Sequence, residues 1–96
     1  MNELQVPDRV SAAKHAVEMA RVWHADGKQY FALSAPGWKD PAAWGLLLVD
    51  LARNVANAYA PAEQRNFNNE VLLRIKAGFD AEWNSPTDEV SGGFVD

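Results

Sequence analysis

Residues 18–34 read EMARVWHADGKQYFALS, two runs of β-favouring residues on either side of Asp26-Gly27. A DG pair between such runs is the strongest short-range signal for a β-hairpin, because a type I′ turn needs positive φ at both central positions. A two-residue turn there sets the register, with Ala25 opposite Lys28, Trp23 opposite Tyr30, Val22 opposite Phe31 and Ala20 opposite Leu33. Side chains alternate across a strand, so one face collects Ala20, Val22, His24, Gln29, Phe31 and Leu33. The other collects Met19, Arg21, Trp23, Tyr30 and Ala32. Both faces are largely apolar, which is unusual for a hairpin that keeps one side wet.

Working outward, residues 40–60 read DPAAWGLLLVDLARNVANAYA. Asp40 suits the N-cap, since its carboxylate can accept from amides of the first turn. Pro41 suits the first helical position, where its missing N–H costs nothing. Trp44, Leu47, Leu48, Leu51, Val55 and Tyr59 follow at the spacing of a core-facing helix. Gly45, Val49, Ala52 and Ala56 are mostly small, so a second element can approach closely along their side. Residues 68–84, NNEVLLRIKAGFDAEWN, predict a second amphipathic helix with Leu72, Ile75, Phe79 and Trp83 inward. Glu70 near its start suits the positive end of the dipole, and Pro86 stops it. Pro61 separates the two helices, and PAEQ at 61–64 is a fair helical opening.

The ends are less decided. In residues 1–16, Val6 is pushed toward an extended conformation by Pro7. A short helix follows with Asp8 as its cap, or else a strand leading into the hairpin. Residues 85–96 are expected as a flexible tail unless docked, and either 1–10 or 88–95 could add an edge strand, Glu89, Val90, Phe94 and Val95 being able to pair. The order is ββαα in one domain, an α+β fold with an antiparallel hairpin packed against two helices. The sheet is extended by a terminal strand or by a second subunit.

Composition narrows the function classes. Charged residues make up 23% and hydrophobic ones 48% of the 96 residues, values of an ordinary globular chain. There is no cysteine, so disulfides, Cys-based zinc sites and thiol nucleophiles are excluded. The net charge is -4, and no Lys/Arg run occurs, which argues against gripping a phosphate backbone. Four tryptophans could stack on nucleobases, but that mode comes with a basic groove. The beginning, MNELQVPDRV, has neither a basic nor an apolar region of a signal peptide. The longest apolar run, Trp44 to Val49, is far short of the ~20 residues that span a bilayer. No nucleic-acid or membrane partner is expected, and a cytoplasmic location is.

Candidate site residues are few. His24 beside the turn could serve as a general base near neutral pH, yet only Asp26 lies near as an acid partner, and a rim histidine is the simpler reading. Neither HxxxH nor HExxH occurs, so no metal is expected. No phosphate-cradling GxxxxGK[ST], GxGxxG or GxSxG is present, so no cofactor and no catalytic residue is assigned. Asp50, Arg53 and Asn57 form a polar strip on the first helix. They line a cleft for a small polar ligand, or else form an exposed strip with an intrahelical ion pair. Trp38, next to Pro36 and Gly37, is expected to be partly exposed and to touch a partner. Because one helical layer covers only one face of the hairpin, Met19, Arg21, Trp23 and Tyr30 are candidates for a homodimer interface.

Three stretches, AVEMARVWHADGKQYFALS, DPAAWGLLLVDLARNVANAY and IKAGFDAEWNSPTDEVSGGF, together resemble a family of short, uncharacterised bacterial proteins, mostly alphaproteobacterial, that form a domain of unknown function. The resemblance spans residues 16 to 95. It implies a small stand-alone cytoplasmic domain with no assigned activity and no site residues to transfer. The expectation is a non-enzymatic, homodimeric module that binds a protein or small ligand. The alternative is a small enzyme using His24 or Asp50 and Arg53 at a helix, hairpin or subunit boundary.

Overall fold

A computed structural model of the chain describes residues 2–34, 38–59, 65–87 and 91–95. The elements run α1 (Asp8–Ala12), β1 (Ala20–Ala25), β2 (Lys28–Ser34), α2 (Ala42–Tyr59), α3 (Arg65–Asn84) and β3 (Ser91–Val95). This is an α+β chain with an open, mixed three-stranded sheet of order β1-β2-β3. It divides into two compact units, residues 1–37 with 90–96, and residues 38–89.

In the sheet unit, β1 and β2 are antiparallel with Ala25 opposite Lys28, Trp23 opposite Tyr30, Val22 opposite Phe31 and Ala20 opposite Leu33. This is the register that the turn chemistry predicts. Asp26 has φ 51° and Gly27 φ 80°, the two positive values of a type I′ turn. Residues 91–95, read as a tail or an edge strand, take the second course. β3 pairs in parallel with β2, with Phe31 opposite Gly92 and Leu33 opposite Phe94. It therefore adds Phe94 to the face of Val22, Phe31 and Leu33, and Val95 to the face of Trp23 and Tyr30. Ahead of the hairpin, the short helix is present, but its cap is Pro7 and makes no side-chain bond. Asp8 instead occupies the first turn, where its charge meets the positive end of the helix.

In the helical unit, the Asp40 carboxylate accepts a hydrogen bond from the Ala42 amide at 2.9 Å. Backbone bonds from Ala43 to Asp40 and from Trp44 to Pro41, both 3.0 Å, close the first turns of α2. α3 begins at Arg65, three residues before the predicted start, since the polar segment ahead of Asn68 carries no helix breaker. At its end, the amide and hydroxyl of Thr87 both donate to the Glu82 carboxylate at 2.8 Å, tying down the chain beyond Pro86. The predicted roles of Pro36, Gly37, Pro61, the 61–64 opening, Glu89 and Val90 lie outside the described residues.

α3 packs on the small-residue side of α2. Ala56, in that stripe, is 1% exposed and is the one buried apolar residue among those described. At 100° per residue, Gly45, Ala52 and Ala56 fall within one 40° arc of α2, and the large stripe centred on Trp44, Leu51 and Val55 lies about 100° away. α2 therefore carries two apolar stripes, and α3 seats on the one built of small side chains.

Candidate functional site

The two stripes of α2 leave hollows along its contact with α3. One, of about 220 Å³, is lined by Arg53, Ala56 and Asn57 from α2 and by Asn69 and Leu72 from α3. Arg53 and Asn57 are one turn apart, so the helix sets both on the same rim. The other, of about 510 Å³, is lined by Val55, Tyr59, Glu70, Val71, Arg74 and Ile75. The polar strip read from the sequence thus divides. Arg53 and Asn57 join a hollow, whereas Asp50 is exposed and is not part of its lining. Among the described residues, ion pairs join Arg21 to Glu18 and Lys76 to Asp80. The intrahelical Asp50–Arg53 pair is not formed. A guanidinium with two carboxamides at the edge of a hollow can hold a small anionic or carbonyl-bearing group.

The other candidates are scattered. His24 is exposed on the sheet, with Nδ1 3.4 Å from the Gln29 side-chain oxygen. Its neighbour is the residue paired across the strands, not Asp26 in the turn. Trp38 is 41% exposed and meets Trp44 edge to face at 5.0 Å between centroids, a favoured aromatic geometry. Met19 and Trp23 are half-buried and Tyr30 is exposed. Arg21 donates to Glu18 at 2.8 Å. That hydrogen bond, the charge of Glu18 and then that of Glu3 hold the Arg21 guanidinium above its ordinary range.

Two features escaped the sequence reading. The larger hollow was signalled only by Glu70 and Arg74 at i, i+4 spacing beside Val71 and Ile75. Phe79 and Trp83 stack at 5.7 Å with rings 22° apart, yet Trp83 is 75% exposed. The sequence shows that pair as part of the inward stripe of α3, but α3 turns it outward. Among the described residues no group of three His, Cys, Asp or Glu could hold a metal ion. Nor is any helix among them long and apolar enough to cross a membrane.

An open mixed three-stranded sheet and a helix pair in one chain put it in the α+β class. The chain belongs to the family described as Domain of unknown function (DUF5076), whose model matches residues 3–87. No curated protein matches it. It is similar to a solved structure from Rhodopseudomonas palustrus CGA009 whose name is "putative pyruvate dehydrogenase", with 37% identity and a TM-score of 0.69. The match covers 93% of this chain and 90% of that one.

Proposed function

We propose that the chain is a non-enzymatic, homodimeric module of the cytoplasm that binds a protein or a small polar ligand. The observation that carries this reading is the state of its core. Among the described residues no large side chain is fully buried, while Val22, Leu48, Leu51, Phe79, Trp83 and Phe94 are exposed. A domain of this length buries roughly 60–68% of its unfolded surface when it is complete. A second copy supplies the missing cover, and the rim of Arg53, Asn57 and Asn69 supplies polar contacts for a ligand.

The enzymatic alternative is weaker on the same residues. His24 has an amide neighbour rather than an acid, and Asp50 does not join Arg53. Light scattering at tens of micromolar tests the dimer and should return a mass near 21 kDa, twice the 10.6 kDa chain. A mass near 10.6 kDa overturns it.

A further inference from the structure

We propose that the larger hollow between α2 and α3 is a binding site for a free α-amino acid with an apolar side chain. It is a different place from the rim of Arg53, Asn57 and Asn69, and it needs no second copy of the chain.

The hollow is built from residues one helical turn apart. Glu70 and Arg74 are four residues apart on α3, as are Val71 and Ile75, and as are Val55 and Tyr59 on α2. Side chains at that spacing are neighbours on a helix, with Cβ atoms about 5–6 Å apart. At 100° per residue, Val71 and Ile75 lie about 100° round α3 from Glu70 and Arg74. An apolar wall and a charged rim therefore run side by side along one helix. Burial follows the same division, Val71 and Ile75 being half-buried and Glu70 and Arg74 exposed. Val55 and Tyr59 complete the lining from α2.

The two charges are not spent on each other. A glutamate four residues ahead of a basic residue is the favoured order for an intrahelical ion pair. Yet among the described residues the ion pairs join Arg21 to Glu18 and Lys76 to Asp80, and neither Glu70 nor Arg74 has a hydrogen-bond partner. Even when formed, such a pair on an exposed helix is weak. A ligand that takes both groups has little to displace.

This juxtaposition selects the ligand. A simple carboxylate that reaches Arg74 lies beside the like charge of Glu70, and a simple amine at Glu70 lies beside Arg74. A molecule with both charges answers both side chains. The planar guanidinium takes the carboxylate as a two-pronged partner, and the Glu70 carboxylate accepts from the ammonium. In an α-amino acid the two groups and the side chain leave the same carbon, so an apolar side chain can lie along Val55, Val71 and Ile75. Removing it from water there favours binding. The volume of about 510 Å³ falls in the range of roughly 300–1,000 Å³ seen for small-molecule sites.

The test titrates the full chain with L-leucine and L-phenylalanine, read by calorimetry and by amide NMR shifts. At least one should bind, with the shifts gathered at Tyr59 and residues 70–75. Isoamylamine and 4-methylpentanoate each lack one charge of leucine, phenethylamine and 3-phenylpropanoate each lack one charge of phenylalanine, and glycine lacks the side chain. Each should bind about tenfold more weakly or worse than its parent. Arg74→Gln and Glu70→Gln alter exposed side chains, and an unchanged amide spectrum elsewhere shows that each variant is folded. Both should weaken binding by a similar factor. Lys28→Gln, which removes the same charge from the exposed end of the hairpin, should leave it unchanged. Four results overturn the proposal: neither amino acid binding at millimolar concentration, an amine or acid binding as tightly as its parent, shifts gathered anywhere else, or binding that neither variant weakens.

Discussion

Gly92 sits in β3 with φ 119°, a conformation that side chains rarely adopt. A Cβ built on it would run into the backbone of Phe31, its partner in the parallel ladder. Glycine here therefore does two things: it permits the dihedral, and it lets β3 lie against β2. Gly92→Ala should detach β3 while leaving the hairpin register intact. Hydrogen exchange reads this directly, because amides of β2 that face β3 lose protection and those that face β1 keep it. Equal loss along both edges of β2 would show that the sheet opens as one piece. Arg21 carries the opposite kind of lesson. Its raised pKa means that stability from the Glu18 partner is fully present below the guanidinium's unfolded range and is lost only above it. Between pH 5 and 9 its protonation contributes no slope.

α2 owes its start to Asp40, whose carboxylate takes the Ala42 amide. Replacing an N-cap aspartate with alanine costs typically about 1 kcal/mol, so Asp40→Ala should lower the urea midpoint with an unchanged slope. A changed slope would mean that the cap shapes more than the helix end. What was legible at this scale was local. The cap, Pro41, the three-and-four spacing of apolar residues from Trp44 to Tyr59 and the DG turn each act within a few residues, and each marks its element. β3 was not legible as a parallel strand because SGGFV has little strand propensity, and its pairing depends on β2 some sixty residues earlier. The start of α3 was set too late because the segment before Asn68 is polar without a breaker, so pattern alone gives no edge. The candidate site was half legible. One helical turn necessarily sets Arg53 beside Asn57, but their companions Asn69 and Leu72 come from α3 and depend on helix packing. Asp50 dropped out because it lies a turn earlier in α2, outside that rim.

For the whole molecule, the decisive fact is how little is closed off: Ala56 is the buried apolar residue among those described, against two apolar sheet faces and a second apolar stripe on α2. If a second copy completes the core, folding and association are one equilibrium, and stability depends on concentration. A tenfold rise in protein is worth about 1.4 kcal/mol to the two-chain state. Unfolding entropy is about 2.1 cal/mol/K per residue, or roughly 0.4 kcal/mol/K for two chains of this length. The midpoint of thermal unfolding should therefore rise by about 3–4 °C for each tenfold increase in concentration. A single chain that folds alone gives no shift at all. Scanning calorimetry from the low micromolar to the near-millimolar range separates the two outcomes.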